Sequence, residues 1–495
     1  MGARHSTLRP TTPIEKQRDL LSQHSPPPYV YSPTTSSEEA QSRAQHGPLT
    51  DASVERFRRE FRSDSKNLLA LNAITRADPA SVCMSRDTSV HDLHVFNIKL
   101  EVEGRATNQK ASGRCWLFAG TNVLRLRVMN KYKLEDFELS QPYLFFWDKL
   151  EKANFFLENM IDLADRDIND RVLNYLLSNP VNDGGQWDMS CSYIWYTYAH
   201  ALRIHSTPIQ FVNLVTKYGL VPKSAYPESF SSSASSRLNW LVTVKLREFA
   251  TQLRALYAAG AGGPHLRAQK EAMMAEIYRV IVIALGEPPK SFDWATRDKN
   301  GKYIEVKAVT PKRFAEEVVG YPITETLSLI NDPRNDYSRL YTVDRLGNVA
   351  GGNPVRYVNT DVGGMKKLAL AALRAGKPVW FGADVGKFSD RASGILDTKL
   401  YDYELGFGVT LGMSKAQRLL YGESLMTHAM VFSGVHVDED GRPVRWRVEN
   451  SWGEEGGEKG YWVVLEKRDV TKELVKVLEQ EPIVLPAYDP MGALA

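Results

Sequence analysis

Small and apolar residues recur at helical spacing in the stretch that follows residue 115. They are Leu117, Gly120, Leu124 and Val128, each three or four positions from the next. That spacing places them on one face of a helix. We therefore expect a buried helix that begins near Cys115, within a helix-rich region from about residue 78 to residue 218.

A second pattern, alternation with period two, appears towards the other end of the chain. Residues 428–437 form an apolar run, residues 438–443 have the composition of a turn, and residues 444–449 alternate between apolar and polar. This pattern predicts a β-hairpin centred near Asp440. In that register His428 lies opposite Trp452 and one same-face step from Asn450. The hairpin belongs to a strand-rich region, residues 377–465, so we expect a cleft between a helical lobe and a sheet lobe.

The helix and the hairpin carry residue types that form a cysteine-nucleophile site. A thiol is mostly protonated at neutral pH, so a nucleophilic Cys115 needs a base and a positive local field. His428 is the candidate base, and Asn450 could accept from one imidazole nitrogen and fix its tautomer. The start of the helix should favour the thiolate. Gly113 allows the backbone close to a substrate carbonyl, and the amide of Gln109 could donate to the oxyanion.

The same residue types have ordinary structural interpretations. A cysteine in an apolar helix is usually an inert core thiol, so Cys115 without its partners would carry little weight. Cys83 and Cys191 lack such partners, and we predict that both are structural. His436 shares the strand parity of the predicted base, but it is expected beside the turn and opposite Val444, which makes it the weaker candidate.

Composition limits the class of protein. The chain has 495 residues, 43% of them hydrophobic, and a net charge of +3, as expected for a soluble globular protein with subdomains. Its three cysteines include no Cys-x-x-Cys pair, so we expect no disulfide framework, no metal site and no cofactor. A reducing, cytoplasmic location fits best. The most apolar stretch, residues 277–285, is too short to span a membrane and contains Arg279.

The first part of the chain differs from the rest. Seven of the 25 prolines fall within residues 1–50, among many Ser, Thr and Gln residues, which predicts a disordered extension. Residues 1–6 fit the N-myristoylation pattern, and three arginines among the first 18 residues leave a mitochondrial form open. A proline-rich PPPY segment at residues 26–29 is similar to a WW-domain ligand, although a solvated tail is the favoured interpretation.

Several motifs, in the right order, resemble the papain superfamily of cysteine peptidases. They are SGRCW at residues 112–116, His428, NSWG at residues 450–453 and GYW at residues 460–462. Arg114 departs from the small residue that usually precedes the nucleophile. A closer resemblance, over about residues 65–495, is to the bleomycin hydrolase branch. It rests on VFN at residues 95–97, NQKASGRCW at 108–116, NDGGQW at 182–187 and MGALA at 491–495.

The resemblance implies an α+β, papain-like two-lobed fold with a large helical insertion and a C-terminal arm. Cys115 and His428 are about twice as far apart as the roughly 130 to 150 residues usual in papain relatives, which agrees with an insertion. Amphipathic helices are predicted in it at residues 245–257 and 268–285. The predicted divisions are a disordered extension (1–64), a helix-rich lobe with the nucleophile (65–228), a basic, mainly helical insertion (229–375), a β-rich lobe with the histidine and asparagine (376–480) and the arm (481–495).

The resemblance also implies a cysteine aminopeptidase that acts on peptides. The arm would lie in the cleft of its own subunit, where the terminal carboxylate of Ala495 pairs with the free amino group of the substrate. Gly184 and Gly185 would edge the cleft and bind extended substrate. Trp452, which could shield the hydrogen bond of the histidine from water, is a further candidate for substrate binding. Hydrolysis of bleomycin and of homocysteine thiolactone is implied in the same way.

Partners beyond peptides follow from the resemblance and from charge. The branch implies a homohexamer with a positively charged channel, and some of its members bind nucleic acid. Residues 245–313 carry thirteen basic and seven acidic side chains. A solvated helix face explains such an excess in most proteins, and sequence-independent nucleic-acid binding stays open. Two alternative functions also stay open: a nucleic-acid-binding ring with secondary peptidase activity, and acyl transfer by the same cysteine.

Overall fold

The structure is a computed structural model of the chain. It describes residues 49–91, 93–185, 189–190, 210–323, 328–465, 477 and 480–493. The predictions made for the disordered extension before residue 49, for Cys191 and for Ala495 therefore lie outside the described residues.

The described helices fall mainly in the first three quarters of the chain. They are α1 (Asp51–Ser63), α2 (Ser65–Ile74), α3 (Pro79–Cys83), α4 (Arg86–His91), α5 (Cys115–Tyr132), α6 (Gln141–Asp162), α7 (Arg171–Ser178), α8 (Gln210–Tyr218), α9 (Phe230–Ser233), α10 (Ser236–Ala258), α11 (Gly263–Leu285), α12 (Pro311–Arg313), α13 (Val362–Arg374), α14 (Tyr403–Phe407) and α15 (Lys415–Leu420). A π-helical turn (Phe314–Val319) follows α12, and a 3₁₀ turn (Pro490–Ala493) lies near the end of the chain.

Helix α5 is the predicted helix that begins at Cys115, and this prediction is confirmed. Residues on all its sides are buried, because the helix lies between the sheet and the other helices. It ends where Lys133 adopts a left-handed backbone conformation with φ 54°. Helix α6 begins where the side chain of Ser140 accepts a hydrogen bond from the backbone N–H of Tyr143 at 3.2 Å.

Most strands belong to one mixed sheet. They are β1 (Ile98–Lys99), β2 (Met189–Ser190), β5 (Ser328–Ile330), β6 (Arg339–Val343), β7 (Tyr357–Asn359), β8 (Val379–Ala383), β9 (Ser389–Asp390), β10 (Ile395–Leu396), β11 (His428–Val437), β12 (Pro443–Glu449), β13 (Tyr461–Leu465) and β14 (Ile483–Leu485). The order is β14-β6-β7-β5-β2-β8-β11-β12-β13-β10-β9, with β1 paired to β11. A separate hairpin joins β3 (Phe292–Arg297) to β4 (Tyr303–Val309).

The predicted hairpin is confirmed in strands β11 and β12, which pair in antiparallel fashion. Val431 lies opposite Glu449, in the register that the sequence predicted. A β-bulge midway along β11 then shifts the pairing by one residue, so that His436 pairs with Arg445. The prediction that His436 faces Val444 was therefore wrong, because one extra residue in β11 cannot be read from alternation alone.

The two helices expected in the insertion are confirmed as α10 and α11, and both pack against α6. Each begins earlier than predicted. In α10 the buried residues Leu238, Val242 and Leu246 continue the apolar face towards the N-terminus. Strands β5, β6 and β7, which also lie within residues 229–375, join the main sheet. The limits of the five divisions stay predictions.

Two apolar cores stabilise the packing of the helices against the main sheet. The larger one contains α5, α6, the insertion helices and the hairpin. The smaller one surrounds Met491 of the arm, and partly buried Met426 packs against both. None of the helices in the described part of the chain is long and apolar enough to cross a membrane.

Candidate active site

The structure brings His428 and Asn450 together at the start of the hairpin. The Nε2 atom of His428 lies 2.7 Å from the Oδ1 atom of Asn450. That oxygen also accepts a hydrogen bond from the backbone N–H of Ser451 at 2.7 Å, which identifies it as the amide oxygen. Because an amide oxygen only accepts, Nε2 of His428 donates. The proton-accepting nitrogen of the neutral imidazole is therefore Nδ1.

An indole ring covers this pair. The rings of His428 and Trp452 stack with centroids 4.4 Å apart and planes inclined by 25°. The edge of Trp462 in turn meets Trp452 at 5.1 Å. The stack lies just beyond the paired part of the hairpin, whose pairing on this side begins with Val431 and Glu449. It leaves only 3% of His428 exposed, so the bond to Asn450 is shielded from water.

Cys115 occupies the first position of α5 and is buried against strand β11. Its sulfur interacts with the backbone N–H of Ala429, the residue that follows His428. The thiol and the imidazole therefore come from adjoining positions at the contact between helix and strand. This brings together a residue from each of the two predicted lobes.

Burial favours the neutral forms of the Cys115 thiol and the His428 imidazole. It raises the pKa of Cys115 to about 11, against backbone N–H groups that lower it. Burial likewise lowers the pKa of His428 to about 4, against the hydrogen bond to Asn450. We expected the start of helix α5 to favour the thiolate. In this structure loss of water around the sulfur outweighs that effect, because solvation of a charge changes more than a partial helix charge can restore.

Gln109 connects the loop before Cys115 to Ser451, the residue that follows Asn450. Its Nε2 atom donates to the carbonyl of Ser112 at 2.5 Å, and its Oε1 atom accepts from the hydroxyl of Ser451 at 2.7 Å. Its backbone N–H donates to the carbonyl of Ser451 at 2.8 Å. A primary amide has two N–H donors, so the bond to Ser112 leaves one for a further acceptor. The side chain thus lies beside the loop that leads into Cys115.

Gly184 and Gly185 each contact a side chain that fixes the position of the backbone. Lys152 donates to the carbonyl of Gly184. A Cβ atom on Gly185 would lie 2.4 Å from the indole of Trp116, so only glycine fits between this ring and the chain. These two residues, the glycine strip, therefore have a fixed backbone, as binding of an extended peptide would require. Residues 186 and 187 of the same motif lie outside the described part.

The arm can be followed as far as residue 493. Strand β14 pairs in parallel with β6, and Asp489 accepts from Arg334 at 2.8 Å. Met491 is fully buried in the smaller core, which includes a contact with Met426. Met426 lies two residues before His428, so the smaller core connects the arm to the segment that leads into strand β11.

Two buried ion pairs beside the site were missed from the sequence. Arg114, just before the nucleophile, is fully buried and pairs with Glu228 at 3.0 Å. Arg125, on the same helix as Cys115, pairs with Glu449, the residue before Asn450, at 2.5 Å. A charged residue between Leu124 and Leu126, in a helix expected to be buried, was a usable signal for Arg125. The sequence offered no comparable signal for the choice of partner.

These contacts define a class of protein. A thiol at the start of a buried helix, beside an imidazole held by an amide and covered by an indole, is the arrangement of a papain-type cysteine peptidase. A model of the Peptidase C1-like family matches residues 48–198 and 209–492, and the chain belongs to this family.

Individual relatives agree with this assignment. Bleomycin hydrolase of Rattus norvegicus is 44% identical over 470 residues, which cover 90% of this chain and 99% of the relative. Aminopeptidase C of Streptococcus thermophilus is 42% identical, with 89% of this chain and 98% of the relative covered. The crystal structure of PepW from Lactobacillus rhamnosis superposes with a TM-score of 0.83 at 40% identity, over 91% of this chain and all of that one.

The comparisons confirm three predictions. The chain is similar to the bleomycin hydrolase branch, it has the α+β papain-like fold, and it is a cysteine-type aminopeptidase and hence a hydrolase. The nucleic-acid-binding and acyl-transfer alternatives are not favoured.

Proposed function

We propose that Cys115 is the nucleophile of this aminopeptidase and that His428, Asn450 and Gln109 complete its catalytic set. The observation that carries the proposal is the hydrogen bond between His428 and Asn450, beside a thiol at the start of α5. The bond leaves Nδ1 of His428 free to accept the thiol proton. Asn450 orients the ring and stabilises its protonated form.

The reaction then proceeds in two steps, formation of a thioester and its hydrolysis. The Cys115 thiol gives its proton to His428 as the sulfur attacks the substrate carbonyl. His428 passes that proton to the departing amine as the C–N bond breaks, which leaves a thioester. Water, deprotonated by His428, cleaves the thioester and returns the thiol. The backbone N–H of Cys115 and the free N–H of Gln109 stabilise the oxyanion in both steps.

The arm supplies the preference for a free amino terminus. Met491 is buried in the smaller core, against which Met426, two residues before His428, also packs. The terminal carboxylate of Ala495 would pair with the ammonium group of the substrate and close the far side of the cleft. Gly184 and Gly185 would bind the substrate backbone, while Trp452 lines the site.

A pair of fluorogenic substrates tests this proposal. An amino acid amide and its N-acetylated twin are compared with wild type, with Cys115→Ala and with a variant that lacks Leu494 and Ala495. We expect wild type to cleave only the free-amine substrate, Cys115→Ala to cleave neither, and the truncated form to accept both. Equal cleavage of both substrates by wild type would reject the role of the arm, and activity of Cys115→Ala would reject the nucleophile.

The substrates are proposed to be short or unfolded peptides. The names of the curated relatives support bleomycin as a further substrate through its amide group. Homocysteine thiolactone is proposed because its thioester is open to the same attack. Direct assays with each compound, with Cys115→Ala as control, test these assignments.

A homohexamer is proposed on the basis of the resemblance and of exposed apolar residues. Several large apolar side chains between residues 405 and 421 face solvent, among them Leu411 and Tyr421, which are 72% and 78% exposed. Contact with another copy would cover them. Sedimentation of wild type and of Leu411→Ser with Tyr421→Ser tests this, since a hexamer held by this surface should dissociate in the double variant.

Nucleic-acid binding receives less support from the basic insertion. Lys245 pairs with Glu248 and Glu276, and Lys270 pairs with Glu158. Ion pairs of this kind account for part of the basic excess as ordinary surface chemistry.

A cytoplasmic location is proposed because Cys83 and Cys115 are free thiols. Fractionation of cells with antibody detection tests it.

A further inference from the structure

The carboxylate of Asp183 binds the loop that precedes the nucleophile. Its Oδ2 atom accepts from the backbone N–H of Gly113 at 2.9 Å and from the hydroxyl of Ser235. Its Oδ1 atom accepts from Asn239 at 2.6 Å and from the ammonium group of Lys149 at 2.8 Å. Four donors therefore converge on one side chain, which is 5% exposed.

Asp183 remains ionised in this environment. Burial alone would raise its pKa, but Lys149 and the hydrogen bonds from Ser235 and Gly113 lower the pKa below its usual range. Hydrogen bonds to a charged acceptor are stronger than neutral ones. The N–H of Gly113 is thus held by a buried charge, two residues before Cys115.

The backbone of Asp183 is tied to the same site. Its carbonyl accepts from the indole N–H of Trp116 at 2.7 Å, and Trp116 directly follows the nucleophile. That indole also supports Gly185, while Lys152 holds Gly184. Lys149 and Lys152 both lie on α6. Asp183 therefore connects three parts of the site: the loop before Cys115, the backbone of Gly184 and Gly185, and helix α6.

The approach of the two loops is as close as a glycine permits. A Cβ atom on Gly113 would lie 2.8 Å from the Cβ atom of Asp183, closer than real Cβ contacts come. Any side chain at residue 113 would push the loops apart. Both the charge of Asp183 and the absence of a side chain at Gly113 therefore set the position of the loop.

We propose that Asp183 is a positioning residue for the reaction, which holds Gly113 so that the backbone N–H of Cys115 points at the developing oxyanion. This inference rests on the proposed function, in which that N–H stabilises the oxyanion. Because the next residues form the glycine strip, Asp183 also fixes the oxyanion donor relative to the substrate backbone. Displacement of a donor by about 1 Å costs on the order of 100-fold in rate.

The variant Asp183→Asn tests the proposal with three readouts. Asn keeps only one accepting oxygen and carries no charge, so one pair of the four donors would face an NH2 group and the charge that holds Gly113 would be lost. We expect kcat to fall about 100-fold with a smaller change in KM. Affinity for a peptide aldehyde, whose adduct with Cys115 carries the same oxyanion, should fall by a similar factor. The rate of Cys115 alkylation by iodoacetamide, which needs no oxyanion donor, should stay as in wild type.

A matched control is available on the same helix. Glu151 is a buried carboxylate of α6 whose partners are Lys217 and Tyr218 rather than the loop before Cys115. Glu151→Gln should keep the wild-type kcat and aldehyde affinity even where thermal stability falls. If Asp183→Asn does not fold, Gly113→Ala shifts the same loop with every charge retained, and it should give the same three results.

The outcomes separate positioning from general damage. Wild-type kcat and aldehyde affinity in folded Asp183→Asn and Gly113→Ala would overturn the proposal. Loss of alkylation rate in step with kcat would also overturn it, because the nucleophile itself would then be impaired. Activity that survives in Cys115→Ala would reject the underlying mechanism instead, and that result is independent of Asp183.

Discussion

Arg125 and Glu449 form an ion pair at 2.5 Å in which both side chains are only 2% exposed. Arg125 belongs to the helix that carries Cys115, and Glu449 directly precedes Asn450. Arg125 also donates to the carbonyls of Arg105 and Phe137. The pair therefore joins the helix of Cys115 to the hairpin of His428, the two residues between which the proposed mechanism moves a proton.

The first prediction concerns this pair. Glu449→Gln should lower the free energy of unfolding by about 3 to 5 kcal/mol, because it leaves the Arg125 charge buried and unpaired. Urea unfolding, with its midpoint and slope compared with wild type, measures the change. Arg125→Met with Glu449→Met should lose less, since no charge is left buried. The exposed pair of Arg58 and Glu55 provides a control, in which Glu55→Gln should change stability by less than about 1 kcal/mol.

The second prediction concerns the orientation of the base. Asn450→Ala removes the acceptor of the His428 Nε2 proton, so kcat should fall about 100-fold or more with little change in KM. Steady-state kinetics on the free-amine substrate measures it. Asn348, a buried amide bound to Asp148 and to the carbonyl of Gln210, serves as a control. A comparable loss of kcat in Asn348→Ala would contradict a specific role for Asn450.

The third prediction concerns pH. His428 must be neutral to accept the thiol proton, and burial lowers its pKa to about 4. Activity should therefore be complete above that value and disappear as the pH falls through it. The acid limb of kcat/KM is the measurement. Trp452→Ala opens the ring to water and should move the limb upwards towards 6.5, whereas Trp452→Phe, which keeps an aromatic cover, should move it less. A wild-type limb near 6.5 would show a solvated imidazole.

The fourth prediction concerns the arm. Asp489 accepts from Arg334 and from the backbone N–H of Met491, each at 2.8 Å. Asp489→Ala should loosen the last residues, so that cleavage of the N-acetylated substrate rises relative to that of the free-amine substrate. Glu481→Gln changes an exposed charge at the start of the arm and should leave the ratio unaltered. An unchanged ratio in Asp489→Ala would mean that strand β14 and Met491 hold the arm without this anchor.

Local patterns predicted much of the fold near the site. The helix after residue 115 and the hairpin with His428 opposite Trp452 follow from periodicity and from one turn, because neighbours along the chain determine both. The bulge in β11 did not follow. It displaces His436 by one position without altering the alternation that the sequence displays.

The parts that escaped prediction depend on distant residues. Asp183 accepts from donors in three separate segments, and Arg125 finds its partner more than 300 residues away. No local pattern selects one carboxylate among many. The ionisation of Cys115 escaped for a related reason: its helix position was evident, but the depth of burial that raises the pKa is a property of the assembled fold.

The distance along the chain between Cys115 and His428 has a consequence for protein synthesis. At about 5 to 20 residues per second, a ribosome needs roughly 15 to 60 seconds to extend the chain from Cys115 to His428. The helix of Cys115 leaves the ribosome long before strand β11 exists, and β14 is made later still. Throughout that interval the nascent chain lacks the proposed base, so under the proposed mechanism its Cys115 thiol stays unactivated on the polysome until synthesis is nearly complete.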